Sequence, residues 1–168
     1  MAIFDKHLAG IHRNCAPGTH SEDCSSEKSS WTALSVLALM RSDHDRSTLS
    51  EIAEQQSWEL EYSPNIDHAL QLLTQQCVPV LILEQELIGV NWQSYLKTLA
   101  SSVWHPSIIV TCSEASDPHW ETIIRCGGYD VVTVPLQKAA IESAVCFAWN
   151  YWHKCFSGDR QVSRVGSR

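Results

Sequence analysis

Apolar residues between positions 32 and 155 alternate between short continuous runs and longer stretches of helical period. Runs such as Ala33–Met40 and Pro79–Leu83 are typical of strands that are buried on both faces. After each run, apolar residues recur three or four positions apart, as Leu49, Ile52 and Ala53 do. Five such strand–helix pairs predict an α/β fold, a doubly wound five-stranded parallel sheet of the flavodoxin-like type with helices on both faces, in three layers.

The same pattern sets the expected boundaries of the elements. It predicts strands at 33–40, 58–62, 79–83, 107–111 and 131–134, and helices at 45–56, 66–73, 92–99, 118–125 and 136–152. Residues 1–31 and 156–168 lack apolar periodicity, so they are expected to be a flexible N-terminal tail and a flexible basic C-terminal tail. The folded unit is therefore expected at 32–155.

Composition narrows the class of protein. The chain has 168 residues, 44% of them hydrophobic, and a formal net charge of −7. That charge is the wrong sign for binding a phosphate backbone, so no nucleic-acid partner is expected. We expect a cytoplasmic protein with no membrane partner, because the sequence contains neither a membrane-length apolar run nor a signal-peptide pattern.

Cysteine usage indicates structural thiols. The seven cysteines form no CxxC pair, and four of them have apolar neighbours, which predicts buried side chains in a reducing compartment: Cys77, Cys112, Cys126 and Cys146. In the N-terminal tail, zinc-like spacing occurs at His12, Cys15, His20 and Cys24. We expect no metal there, because the tail lacks the hairpin and helix that position zinc ligands.

A resemblance emerges from the polar residues at the strand ends. Glu84 ends the third strand, Thr111 ends the fourth, Gly127-Gly128 precedes the fifth and Pro135 follows it. These residues lie in VPVLILEQELIGVNW and SIIVTCSEASDPHWETIIRCGGYDVVTVPL. The order and spacing over residues 34–152 resemble the receiver domain of two-component response regulators, in the divergent branch that carries Glu at the phosphoacceptor position.

The resemblance implies a degenerate phosphorylation pocket. Receivers accept a phosphoryl group on an Asp with the help of Mg²⁺, which prefers oxygen ligands. The positions of the family's acidic pair correspond to Met40 and Arg41, so we expect Mg²⁺ binding to be lost, with no other cofactor and Asp43 as a weak alternative ligand. Glu84 replaces the acceptor Asp, and Val134 replaces the phosphoryl-binding Lys. These substitutions predict a pseudo-receiver.

Two further positions concern signal coupling. Thr111 corresponds to the hydroxyl that couples the phosphoryl group to the output face, whereas Val131 replaces the switch aromatic. Arg41 prompts the hypothesis that its guanidinium crosses the pocket and pairs with Glu84, in place of the metal and the Lys. The alternatives are a surface-pointing Arg41 and a merely solvated Glu84.

The last helix predicts an interaction surface. Its inward stripe is expected at Ile141, Val145, Ala148 and Trp152, so other aromatic side chains of the helix are left over. The resemblance implies a face formed by helix 4, strand 5 and helix 5 that binds a protein partner or a second copy. Its expected residues are Trp120, Val131, Phe147, Trp149 and Tyr151. Alternatively, the C-terminal tail around Phe156 covers these aromatics.

These patterns favour a stand-alone pseudo-receiver without enzymatic activity, which signals in a bacterial two-component or phosphorelay pathway by protein–protein interaction. The leading alternative is an active response regulator that accepts a phosphoryl group on Glu84 or Asp43. A third possibility is a small-molecule site at the strand ends. MRSDHD lacks the Gly-rich phosphate loop that such a site would use after strand 1.

Overall fold

The computed structural model describes residues 34–114 and 116–162. The strands are β1 (Ser35–Leu39), β2 (Glu59–Tyr62), β3 (Val80–Glu84), β4 (Ser107–Cys112) and β5 (Asp130–Thr133). The helices are α1 (Asp43–Gln56), α2 (Ile66–Gln75), α3 (Trp92–Ala100), α4 (Asp117–Arg125) and α5 (Lys138–Val162). Short 3₁₀ turns at Gln85–Leu87 and Gly89–Asn91 connect β3 to α3.

The five strands form one parallel sheet in the order β2-β1-β3-β4-β5. Strand order reverses between β1 and β3, which makes the sheet doubly wound and brings the carboxyl ends of the strands to one edge. The predicted flavodoxin-like α/β fold is therefore confirmed.

Alternation along the strands divides the interior into two cores. Val36, Ile82 and Ile109 pack with α1 and α5 on what we call the α1/α5 face. Leu37 and Leu83 pack with α2, α3 and α4 on the opposite face, the α2–α4 face. Because side chains alternate with period two, the core assignment of each strand fixes the face on which its last polar residue lies.

Local signals explain where the helices begin and end. The Ser42 hydroxyl caps α1 and the Asn65 side chain caps α2, each accepting a backbone N–H of the first turn. After α4, Gly127 adopts a φ of 99°, and a Cβ on Gly128 would lie 2.5 Å from Ile123 Cγ2. The Gly127-Gly128 pair therefore allows the tight turn into β5.

Helix α5 differs from the expectation at its far end. It continues to Val162, whereas the sequence pattern placed its end at Trp152 and a flexible segment from residue 156. A helix already nucleated by packing extends at low cost, so the polar composition of these residues did not indicate a boundary. The tail at 1–31 and its cysteine–histidine cluster lie outside the described residues.

The described cysteines differ in burial. Cys112 and Cys126 are buried as expected, whereas Cys77 and Cys146 are only half-buried. Within residues 34–114 and 116–162, none of the helices combines the length and the apolar composition needed to cross a membrane.

Candidate functional site

Four predicted site positions converge at the carboxyl edge of the sheet. Met40 follows β1, Glu84 ends β3, Thr111 lies in β4 and Val134 follows β5. Met40 and Val134 pack with the α1/α5 core, and strand alternation puts Glu84 and Thr111 on the same face. We call this group the strand-end corner.

Glu84 is held by the main chain of the β1–α1 connection. Its carboxylate Oε2 accepts the backbone N–H of Arg41 at 2.6 Å. The hypothesis of a guanidinium pair is therefore wrong: between these two described residues there is no side-chain ion pair within 4.0 Å, and the Arg41 side chain is exposed. A main-chain donor costs less conformational entropy than a long side chain, so the backbone N–H is the less costly partner.

A second carboxylate, that of Asp45, binds the main chain of the β5–α5 connection. The sequence analysis did not predict this contact. Asp45 in α1 is only 4% exposed, and its Oδ1 accepts the backbone N–H of Leu136 at 2.7 Å. This bond joins α1 to the β5–α5 connection, directly after the cis peptide Val134–Pro135. A sequence signal existed, since Asp45 occupies the first turn of a helix one turn before the buried Leu49, but its partner lies 91 positions away.

Thr111 is the unsatisfied polar group of the corner. Its side chain has no exposed surface, and its hydroxyl has no hydrogen-bond partner. The residue pairs with Glu84 on one side in the sheet register and with Val132 on the other. A fully buried hydroxyl is normally hydrogen-bonded, so Thr111 requires a physical explanation.

The two residues that follow β1, Met40 and Arg41, offer no carboxylate to a magnesium ion. Mg²⁺ requires near-octahedral oxygen ligation, usually including carboxylates. Met40 is 4% exposed and belongs to the apolar core, and Arg41 carries a positive charge. Asp43 is exposed in the first turn of α1, with neither a hydrogen bond nor an ion pair to Glu84 in the described structure. Within the part of the chain that the structure describes, no cluster of three acidic, His or Cys side chains could hold a metal.

On the α2–α4 side of the same edge lies an open cleft of about 490 Å³. Glu86 Oε1 accepts both the N–H and the hydroxyl of Ser113 at 3.0 Å, and His119 Nε2 lies 2.6 Å from Gln85 Oε1. The Glu86 bonds join the β3–α3 connection to the β4–α4 connection, and the Gln85 contact joins it to α4. Burial, and secondly the Glu86 charge, raise the pKa of the Cys112 thiol, which therefore stays protonated and is a poor nucleophile.

The edge of the sheet at β5 carries exposed aromatic rings. Phe147 and Tyr151 on α5 are 56% and 51% exposed, and both lie outside the buried stripe of Ile141, Val145, Ala148 and Trp152, as predicted. The ring of Tyr151 lies 5.2 Å from that of Tyr129, which immediately precedes β5. We call Phe147, Tyr151 and Tyr129 the aromatic edge.

Three residues predicted for this face have other contacts. Trp120 is half-buried and hydrogen-bonded to the Asp130 carboxylate, which also accepts the N–H of Val131 at 2.8 Å. Burial raises the pKa of Asp130 despite these two bonds. Val131 is half-buried against the α2–α4 core. Trp149 packs half-buried against the α1/α5 core, and its ring lies 5.6 Å from that of His153.

Comparison with known proteins identifies the fold. No family model and no curated protein matches the sequence. A response regulator from Thermotoga maritima superposes with a TM-score of 0.64 at 10% identity, covering 70% of this chain and 98% of that one. NtrX from Brucella abortus, in complex with ADP, gives 0.69 at 15% identity and covers 82% of this chain. The match spans 31% of NtrX.

A third neighbour contains a magnesium ion. It is the receiver domain of the sensor histidine kinase PA1611 from Pseudomonas aeruginosa PAO1, with a magnesium ion coordinated in its active site cleft. It superposes with a TM-score of 0.60 at 11% identity and covers 71% of this chain and 99% of its own. The neighbours establish that this chain has the receiver fold.

Proposed function

We propose that this protein is a receiver-like signalling module of a bacterial two-component or phosphorelay pathway that works without phosphorylation. It acts as a binding protein and has no enzymatic role. The fold supports the first part of the proposal, since receiver domains are its structural neighbours. The second part is carried by one contact, the hydrogen bond that commits the Glu84 carboxylate to the Arg41 N–H.

The remaining residues of the corner support the same conclusion. In-line phosphoryl transfer needs metal ions and cationic side chains that neutralise the developing charge. Met40 and Val134 supply neither, and Asp45 is engaged with Leu136. An incoming phosphoryl donor, itself an anion, would be repelled by the Glu84 carboxylate, and neither Met40 nor Val134 can bind a metal ion or supply a positive charge that offsets this repulsion.

The test is intact-mass spectrometry after incubation with Mg²⁺ and acetyl phosphate. A genuine receiver is mixed into the same tube, and Glu84→Ala and Asp43→Ala variants are treated in parallel. We expect a phosphoryl adduct on the genuine receiver and none on this protein. An adduct that disappears in one of the two variants would instead make that residue an acceptor and this protein an active response regulator.

The proposed output is a protein partner, or a second copy, bound at the aromatic edge. Exposed aromatic rings beside a sheet edge are typical of interface anchors, because they bury much area at small entropic cost.

A photo-crosslinking residue placed at position 147 or, as a control, at position 103 tests this surface in cells. Val103 is 68% exposed and lies in the α3–β4 connection, outside the aromatic edge. We expect a discrete crosslinked product from position 147 and none from position 103. Equal crosslinking at both positions, or none at position 147, would contradict a specific partner at this edge.

A further inference from the structure

The outer strand β2 has one side that faces no other strand of the sheet. The order β2-β1-β3-β4-β5 gives it a single neighbour, β1. Glu59 and Ser63 each donate their backbone N–H to a carbonyl oxygen at or beside β1 at 2.9 Å, so these alternate residues face inward. Leu60 and Tyr62 therefore direct their N–H and C=O groups away from the sheet. Among residues 34–114 and 116–162, no main-chain hydrogen bond outside the helices and the ladder reaches these groups.

The side chains of β2 make this outer side, which we call the β2 edge, negatively charged. Glu59 and Glu61 are exposed. Leu60 and Tyr62 pack against the α1/α5 core, so alternation places the two glutamates on the α2–α4 face. Glu61 accepts a hydrogen bond from Gln76 Nε2 at 2.8 Å, but neither carboxylate forms an ion pair with a described residue. The edge thus combines outward main-chain groups with two carboxylates that no described cation neutralises.

We propose that the β2 edge binds an extended segment of a partner protein as a sixth strand, and that this segment carries Lys or Arg at alternate positions, opposite Glu59 and Glu61. The main chain of the segment pairs with the outward groups of Leu60 and Tyr62. Its basic side chains lie on the α2–α4 face beside the two glutamates. In such strand addition, main-chain hydrogen bonds provide affinity and the alternating side chains provide specificity.

The charge of the β2 edge decides between the possible occupants. In a second copy, β2 would bring Glu59 and Glu61 against the same two residues, and like charges on neighbouring strands are destabilising. Charged side chains on a short edge strand protect against such self-pairing. They favour a basic strand by the same interaction, because opposite charges on neighbouring strands are stabilising. The formal charge of −7 on the whole chain also attracts a cationic partner before contact.

This site goes beyond the proposed function, because it adds a second binding surface. The strands β2 and β5 form the two opposite margins of the sheet, and the aromatic edge lies beside β5. The two surfaces do not overlap, so one protein can bind at each of them simultaneously. The inference does not depend on whether Glu84 is phosphorylated.

The test is hydrogen exchange of the full chain, measured by NMR with a synthetic peptide in which lysine alternates with threonine. In the free protein, the amides of Leu60 and Tyr62 should exchange fast, because they point to solvent. Saturation with the peptide should slow both by roughly tenfold or more. The amides of Glu59 and Glu61, which face β1, should not change. A peptide with proline in place of threonine keeps the charge but pairs poorly in a ladder, so it should not slow exchange.

Charge variants show whether the two glutamates select the peptide. The double variant Glu59→Lys, Glu61→Lys should lose the response to the lysine peptide and gain one to a matched peptide with glutamate in place of lysine. The double variant Glu114→Lys, Glu121→Lys makes the same change in net charge near α4 and should keep the response to the lysine peptide. The neutral double variant Glu59→Gln, Glu61→Gln should respond more weakly than the wild type, and it supplies the test should the reversed variant not fold.

Three results would overturn the proposal. They are unchanged exchange of Leu60 and Tyr62 in the wild type with the lysine peptide, equal slowing by the glutamate peptide, and an undiminished response to the lysine peptide in the variants at positions 59 and 61. Any of them would mean that the glutamates only protect the β2 edge. The mass-spectrometry test of phosphorylation would be unaffected.

Discussion

The strand-end corner and the aromatic edge lie in different parts of the fold. They differ in whether their side chains are bonded within the chain or exposed to solvent. Glu84 in the corner and Asp45 on α1 each accept a main-chain N–H from another part of the chain. At the edge, Phe147 and Tyr151 keep more than half of their surface in solvent. Contacts within the chain thus occupy the part of the fold where receivers perform chemistry, and leave open the part that suits binding.

This difference separates the groups that stabilise the fold from the groups that are available to bind a partner. Groups already bonded internally stabilise the fold, and they have little left to offer a ligand without losing that contribution. Exposed rings contribute little to folding and can be buried by a partner at no cost in existing contacts. Substitutions in the corner should therefore change stability, and substitutions at the edge should change binding.

The largest expected effect comes from Asp45. Asp45→Ala leaves the buried N–H of Leu136 without its acceptor, which should lower the free energy of unfolding by about 2 kcal/mol. The measurement is urea unfolding followed by circular dichroism. Asp45→Asn retains an acceptor oxygen and should lose less. Equal losses in the two variants would mean that the side-chain charge, and not the bond to Leu136, is what stabilises this connection.

A smaller, pH-dependent effect should arise at Asp130. Burial raises its folded-state pKa, so the folded protein binds the proton more tightly than the unfolded chain does. Between the ordinary aspartate pKa of 3.8 and the raised value, stability must therefore fall as pH rises. Above that window the cost is fully present, and below it the cost is absent.

Comparison with Asp130→Asn isolates this contribution from other titrating groups. Asn retains an oxygen for the Trp120 and Val131 donors but carries no charge. As pH falls through the window, unfolding experiments should show the wild-type protein gaining stability relative to the variant. A constant difference between the two proteins across this range would mean that Asp130 is not desolvated.

The sequence predicted which residues lie at the strand-end corner, but it did not predict their hydrogen bonds. The period of apolar runs placed Glu84 and Thr111 at adjacent strand ends, because strand position and face follow from local alternation. The bond from Leu136 to Asp45 depends on how α1 meets the β5–α5 connection, which only tertiary packing decides. The same limit applies to Trp149. The sequence grouped it with the interface aromatics of α5, but only the packed structure shows that it lies half-buried against the α1/α5 core.

Substitutions at the aromatic edge should have little effect on the free energy of unfolding. Phe147→Ala should change the free energy of unfolding by no more than about 0.5 kcal/mol, because its ring is 56% exposed. Val103→Ala, at a similarly exposed site, provides the matched control in the same urea titration. A loss at position 147 several times that at position 103 would place Phe147 among the folding contacts and weaken its assignment to a binding surface.

The smallest effect is expected for Arg41→Ala, although Arg41 contacts Glu84 directly. The contact uses the backbone N–H, which Arg41→Ala retains, so urea unfolding of this variant should match the wild type. Glu84→Ala removes the acceptor and should lower the free energy of unfolding by about 1 kcal/mol. Arg41→Pro deletes the N–H and should be at least as destabilising as Glu84→Ala. If Arg41→Ala were instead as damaging as Glu84→Ala, the guanidinium would contribute to holding the carboxylate, and the corner would be closed by a side-chain charge.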